Sequence, residues 1–351
     1  QALADWRTPG MTVAVVHRGE VILTTGYGVR KQGTDKKVDE DTMFALGSTS
    51  KAFAAATVAL LVDREEISFD DRVKVHPPWF EIYDARLSNM VNVRDLLTHR
   101  IGTSYADENE LRPGSVDAKD HLLRSRDLVK PVAPFRDRYV YSNNMFIASG
   151  QLVAAVSGET WPEFAKKNLW APLKMKSTNA DAVAARRRRN AASPHRLVDV
   201  EGEARAFQWS YPDAVAVPSG GVNSNAVDMA NWLQFQLADG QFEGQTLISP
   251  KVFKLMHSPH TAISEPGGAP DILSQFPDDI REEADMRFWS YGMGWYVTEY
   301  RGRRLIYHSG SIDGFRAGVA LLPEENLAIY IGVNRTSRLP FPMILRLFDE
   351  L

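Results

Sequence analysis

Phe44-Ala45-Leu46-Gly47-Ser48-Thr49-Ser50-Lys51 runs directly into Ala52-Phe53-Ala54-Ala55-Ala56-Thr57-Val58-Ala59-Leu60-Leu61-Val62. Phe53, Ala56, Thr57, Leu60 and Leu61 recur at spacings of three and four, which predicts a helix opening close to Ser48. A serine three residues before a lysine on one helix sets hydroxyl and amine on the same face, one turn apart. Unpaired N–H donors and the positive end of the backbone dipole at a helix start favour negative charge developing on Ser48. Lys51 becomes a base where burial and neighbouring cations lower its pKa from about 10.4 towards neutrality. Taken alone, the same spacing also describes a serine N-cap followed by a surface lysine.

Working outward, Met11 to Val16 is a short apolar run rich in β-branched residues. Val21-Ile22-Leu23-Thr24-Thr25 follows after His17-Arg18-Gly19-Glu20, and the pair reads as a hairpin. Four further strands are expected near the other end, at Gly294 to Val297, Arg304 to Tyr307, Gly318 to Leu322 and Leu327 to Ile331. Arg301-Gly302 and Pro323-Glu324-Glu325-Asn326 supply turns between them. The middle changes to helical spacing: Ile147, Gly150, Val153 and Val156 mark one helix, Trp232, Phe235 and Leu237 another. The stretch from about 258 to 288, with Pro259, Pro266, Pro270 and Pro277, is expected to be irregular. The expectation is an α+β fold: an antiparallel sheet built from both chain termini, flanked by helices, with a mostly helical inserted region. The sheet region is drawn as 1–60 plus 288–351 and the helical region as 61–287, together one domain.

Composition narrows the chemistry. The chain has 351 residues, 44% of them hydrophobic and 24% charged, with a formal net charge of −3, so no overall basic field attracts nucleic acid. The run Arg186-Arg187-Arg188-Arg189 is a local exception and reads as a solvated face. With no cysteine, disulfides, thiolate metal sites and a cysteine nucleophile are excluded. No apolar stretch approaches the roughly 20 residues of a spanning helix. The start at Gln1 rather than Met suggests a processed N-terminus, with a periplasmic or secreted location ahead of the cytoplasm. No oligomeric state follows from the sequence.

Two more segments carry chemistry. Tyr139-Val140-Tyr141-Ser142-Asn143-Asn144 precedes a helix expected to begin near Met145. There Tyr141 can share protons with Lys51, and Asn143 offers an amide to orient the lysine and a substrate. His308-Ser309-Gly310-Ser311 follows the strand Leu305-Ile306-Tyr307; Gly310 lets a substrate backbone approach, and Ser311 N–H is a candidate oxyanion donor. Each element is weak alone. Three in this order, each at an element boundary, are far more specific. The other histidines read as structural: His99 buried and hydrogen-bonded, His17 exposed in its turn, and His257 and His260 lacking a third metal ligand nearby. No metal or cofactor is expected. Trp79, Phe80, Phe288 and Trp289 read first as packing residues, while Trp209 and Tyr211 are the preferred walls of a substrate cleft.

On these motifs the sequence resembles the serine β-lactamase and penicillin-recognising superfamily, on the branch of class C β-lactamases, DD-peptidases, D-amino-acid peptidases and related esterases. Pro9 to Val16 with Gly26 to Arg30 is similar to that family's opening hairpin, and Asp41 to Phe44 to its approach to the nucleophile. Arg94 to His99, Pro218 to Ser224, Asp228 to Ala230, Tyr291 to Trp295 and Gly310 to Phe315 resemble later family segments, so the likeness runs nearly throughout. The resemblance implies a β-lactamase/transpeptidase-like fold, with Ser48 as nucleophile and Lys51 as its activator. It also implies that Tyr141 exchanges protons, that Asn143 binds the acyl side chain, and that His308, Ser309 and Gly310 line the far wall. The N–H groups of Ser48 and Ser311 would form the oxyanion hole. Whether Lys51 or Tyr141 is the base stays open at this level.

His308 stands where most β-lactamases of the resemblance carry lysine. A histidine of ordinary pKa is mostly neutral at pH 7, so a substrate carboxylate is attracted less. Hydrolysis of esters, or of amides of D-residues or small peptides, is therefore expected ahead of strong β-lactam turnover, the substrate being a small molecule or a peptide. Three alternatives stand beside it: a penicillin-binding protein or sensor that acylates and deacylates slowly, a true class C-like β-lactamase, and a non-catalytic scaffold. The joint presence of Ser48, Lys51 and Tyr141 argues against the last.

Overall fold

The structure, a computed structural model, describes residues 1–104, 117–198, 202, 204–209, 215, 217–263 and 286–351. Its strands in chain order are β1 (Gly10–His17), β2 (Glu20–Gly28), β3 (Phe44–Ala45), β4 (His195–Leu197), β5 (Ala204–Ala206), β6 (Asn223–Ser224) and β7 (Gln241–Phe242). They continue with β8 (Gln245–Thr246), β9 (Thr261–Ala262), β10 (Met286–Tyr291), β11 (Tyr296–Tyr300), β12 (Arg303–Ile312), β13 (Phe315–Leu322) and β14 (Leu327–Val333).

Eight of them form one sheet in the order β2-β1-β14-β13-β12-β11-β10-β9, antiparallel at each junction. The N-terminal hairpin therefore sits beside the last strand, as the apolar runs at both ends implied. Consecutive residues of β1, β13 and β14 are buried, so both sheet faces are covered. The helix Pro340–Glu350 packs on β13 and β14, and Ala226–Leu237 packs on β1, β2 and β14. β2 is the sheet edge, and its Val21, Ile22 and Leu23 are exposed.

The helix after Ser48 spans Ser50–Asp63 and is buried at every residue from Ser50 to Leu61. The alanines at 52, 54, 55, 56 and 59 let neighbours approach this helix from all sides. It packs against the helices Asn143–Ser157, Val217–Gly220 and Pro250–Met256. Three small strand pairs, β3 with β6, β4 with β5 and β7 with β8, interrupt the region expected to be helical. The stretch read as irregular contributes β9 and the start of β10; residues 264–285 lie outside the described residues. His17, expected to be exposed, is half-buried.

Candidate active site

Ser48 occupies a tight 3-10 turn, Gly47–Thr49, that feeds the helix Ser50–Asp63. Neighbouring hydroxyls brace this turn: Thr49 Oγ1 donates to Leu46 O at 3.0 Å and Ser50 Oγ to Gly47 O at 2.7 Å. Thr49 takes the N-cap position of the helix, so Ser48 is not its cap. Ser48 is half-buried, at the boundary between core and solvent.

Lys51, one turn on, is wholly buried. Its Nζ lies 2.7 Å from Ser219 O, 2.8 Å from Asn143 Oδ1 and 3.3 Å from Ser48 Oγ. The Tyr141 ring centre is 4.7 Å from the same nitrogen and that of Phe146 is 5.4 Å away. Ser48, Lys51, Tyr141 and Asn143 thus meet around one amine. Asn143 reaches it because the helix Asn143–Ser157 starts two residues earlier than expected; Ser142 caps it, its Oγ accepting from Met145 N at 3.4 Å.

Tyr141 is flanked by His99, with ring centres 4.2 Å apart and planes at 30°. His99 Nδ1 accepts the Ser142 N–H at 3.0 Å, which assigns the ring proton to Nε2. Burial holds this imidazole well below the usual histidine range, and the charge of Lys51 pushes the same way. Neutral His99 therefore carries the backbone on which Tyr141 and Asn143 are mounted. His99 was expected to be buried and hydrogen-bonded, and it is.

β12 closes the site. A Cβ placed on Gly310 would lie 1.8 Å from Leu46 O and 3.0 Å from Ser48 N. One on Gly47 would lie 2.7 Å from Ser311 N. These two glycines let the Ser48 turn and the strand touch backbone to backbone. The sequence had suggested that Gly310 makes room for substrate; the space is taken by the protein's own Leu46 carbonyl. β12 pairs with β13 as far as Ile312–Phe315, whereas β11 pairs with it only from Arg303 to Tyr307. The edge of β12 from 308 onward on the β11 side is thus left by that strand. Counting alternate pairs back from the two-residue turn Asp313-Gly314 directs the N–H of Ser311 to that edge, beside Ser48 N. Ser311 is exposed; Ser309 and His308 are buried.

His308 is held from both ring nitrogens. Nε2 lies 3.0 Å from Tyr291 Oη and Nδ1 lies 2.6 Å from Ser309 O. A carbonyl only accepts, so Nδ1 carries the hydrogen and Nε2 receives the Tyr291 proton. Burial, with help from the Lys51 charge, pushes the His308 pKa down to about 3. Its neutrality is a property of the site, beyond what an ordinary histidine pKa supplies.

Ser219 and Tyr291 went unnamed as functional residues in the sequence reading. Ser219 contributes a backbone carbonyl, which leaves no trace in residue type; Tyr291 lies in a segment whose family likeness was visible without a role attached. Trp209, a preferred cleft wall, is mostly buried, its ring 4.7 Å from Phe315. Tyr211 lies outside the described residues. Phe80 is buried and Phe288 is exposed. His257 Nε2 meets Gln236 Oε1 at 2.9 Å and His260 Nε2 meets Leu255 O at 2.8 Å. Among the described residues no cluster of three or more His, Cys, Asp or Glu is suited to a metal ion, and no helix is long and apolar enough to cross a membrane.

Comparison with known proteins agrees with this architecture. The octameric penicillin-binding protein homologue from Pyrococcus abyssi superposes with a TM-score of 0.79 at 21% identity, covering 95% of this chain and 71% of that one. The chain is 30% identical over 364 residues to the unguisins hydrolase ungD' of Aspergillus campestris, and 22% identical over 344 residues to protein flp of Staphylococcus aureus strain MW2. These alignments cover 96% and 94% of this chain, which spans about 60% of the length of each of these relatives. The β-lactamase family model matches residues 1–348, so the chain belongs to the β-lactamase family.

Proposed function

We propose that the chain is a serine hydrolase that works through a covalent acyl-enzyme on Ser48. The observation that carries this reading is the surroundings of the Lys51 amine. Asn143 Oδ1 and Ser219 O only accept, so they occupy two of its N–H donors. The third direction faces Ser48 Oγ, the one neighbour of the three able both to accept and to donate a proton. Once it has given up a proton, an amine held in this way directs its lone pair at the serine hydroxyl.

Ser48 Oγ attacks the substrate carbonyl carbon, and its proton passes to Lys51 Nζ or to Tyr141. The N–H groups of Ser48 and Ser311 stabilise the resulting oxyanion. The bond to the leaving group breaks as that group takes up the proton. Water then attacks the acyl-enzyme, the ester bond to Ser48 breaks, and the serine regains its hydrogen. Asn143 and Ser309 align the acyl portion, Gly310 lets β12 close against the Ser48 turn, and His308 supports the far wall as a neutral strut. Sheet and helical regions act as one catalytic domain, because the Gly47–Thr49 turn, Lys51 and β12 come from the first while Tyr141, Asn143 and Ser219 come from the second.

Esters, or amides of D-residues and small peptides, are the substrates this site favours over β-lactams. Neutral His308 supplies no cation for a β-lactam carboxylate. The relative named a hydrolase supports turnover rather than acylation alone. Mass spectrometry after incubation with a fluorophosphonate and with penicillin, on wild type and Ser48→Ala, tests the reading. A fluorophosphonate adduct lost in Ser48→Ala supports it, and no adduct with either reagent overturns it. A stable penicilloyl adduct with no ester turnover assigns the chain to slow-deacylating penicillin-binding proteins instead. Hydrolysis of nitrocefin faster than any p-nitrophenyl ester at neutral pH reverses the substrate ranking.

A further inference from the structure

A solvent-open cavity of about 360 Å³ lies apart from the Lys51 cluster, walled in part by Arg186, Arg187, Ser193, Phe207 and Trp209. Arg186 is committed to the fold, since its Nη1 donates to Trp209 O at 2.8 Å. Arg187 is exposed on the same helix, Ala182–Arg187, with no carboxylate within ion-pair distance among the described residues. The Arg196 guanidinium stands 5.6 Å from the Phe207 ring centre. Arg196 also faces Arg205 directly across the β4–β5 pair. Like charges opposite one another weaken a strand pair, so folding gains nothing from this arrangement. Arg187 lines the cavity and Arg196 stands against the Phe207 ring that walls it, so an anion bound there gains charge-assisted hydrogen bonds from the first and attraction from the charge of the second.

The cavity also connects to the oxyanion strand. A Cβ on Gly314 would come within 2.7 Å of the Phe207 ring, and Trp209 packs on Phe315. Gly314 belongs to the turn that ends β12, three residues beyond Ser311 and thus at most about 10 Å along the chain. A substrate extended along the open edge of β12 therefore runs towards Phe207 and the arginines.

We propose that this cavity is an anion-recognising subsite that takes a carboxylate carried by the substrate on the Gly314 side of the scissile bond. The inference rests on the serine hydrolase reading and narrows its substrate class to acidic peptides or acyl groups ending in a carboxylate. Arg187, from the run read in the sequence as a solvated face, becomes the specificity element together with Arg196.

The test uses p-nitrophenyl esters of N-succinyl peptides with one, two or three D-alanines, each beside its N-acetyl counterpart. At one of these lengths the succinyl ester is expected to exceed the acetyl ester in kcat/KM by about tenfold. Arg187→Glu and Arg196→Glu are each expected to remove about fivefold of that advantage while changing the acetyl ester less than about twofold, consistent with exposed ion pairs. Raising the salt concentration erases the advantage in wild type. An unchanged succinyl-to-acetyl ratio in both variants, or equal losses on both esters, overturns the proposal. So does free succinate binding as tightly as the succinyl peptides, which marks a site for loose anions. If wild type hydrolyses none of the esters, the hydrolase reading fails. Calorimetric binding of the succinyl peptides then decides the subsite: selective loss in Arg187→Glu upholds it and equal binding overturns it.

Discussion

Tyr291 donates its hydroxyl hydrogen to Nε2 of His308 across 3.0 Å, and Nδ1 of that ring is bound to Ser309 O. The phenol is itself held neutral by burial, which pushes its pKa well above the usual tyrosine range. An added proton on His308 would sit in a buried site facing the Lys51 amine and would turn the Tyr291 hydroxyl from donor to acceptor. The pH profile of ester hydrolysis is therefore expected to show no His308 ionisation between about pH 5 and 9. His308→Gln should shift the height of the profile and leave its shape; a limb near pH 6.5 that disappears in His308→Gln contradicts this.

The same burial has a consequence for stability. His257 and His308 have folded pKa values of about 3, below the unfolded value near 6.5. The unfolded chain binds protons more readily here, so this stability is full above about pH 6.5 and declines as pH falls towards 3. At pH 5 each contributes a loss of about 2 kcal/mol relative to pH 7.5. Urea unfolding at the two pH values checks it, and His257→Gln should flatten the dependence.

Asn143→Ala removes one of the acceptors that orient the Lys51 amine. Hydrogen bonds to charged groups contribute about 1.5–3 kcal/mol, so kcat/KM is expected to fall by about 10- to 100-fold. Fluorophosphonate labelling of Ser48 should slow in step. A variant that hydrolyses esters poorly but labels at the wild-type rate would confine Asn143 to substrate binding.

Gly310→Ala places a methyl group 1.8 Å from Leu46 O. Backbone must yield on one side, so Ser48 N and Ser311 N separate. Labelling at Ser48 is expected to drop by about 100-fold or more, the scale of a lost oxyanion donor, together with a lower Tm. Wild-type values for both would show that the two segments do not rely on this contact.

His99 adopts a positive φ of 54°, a conformation that asparagine tolerates better than most residues. His99→Asn retains a side-chain acceptor for Ser142 N–H and loses the ring against Tyr141. It is expected to lower kcat by about tenfold, within the range for a displaced proton-transfer group, with little change in KM. His99→Phe keeps the ring and loses the acceptor, and should cost more in Tm than His99→Asn. Equal kinetics in wild type and His99→Asn would reduce His99 to packing.

Much of this site was legible in the chain. Ser48 and Lys51 lie within one turn, so their juxtaposition follows from helical geometry. The β-branched runs at 11–16 and 318–331 specified strands at both ends, and the pairing of β1 with β14 follows once they share a sheet. Tyr141 and Asn143 were recognisable because side-chain types stand at a helix boundary. Trp209 was singled out as a wall, but residue type does not reveal that its ring is buried against Phe315 and borders a cavity apart from Lys51.

Residue order and spacing by themselves determined which groups are present and which lie one turn apart, because those relations are local and repeat with the period of helix or strand. Only the packed chain decided what surrounds them. Lys51 draws on Asn143 and Ser219, 92 and 168 positions away, one of them through a backbone carbonyl. His308 is neutral because burial removes the water that would solvate its charge, and desolvation arises only when distant segments close over a group.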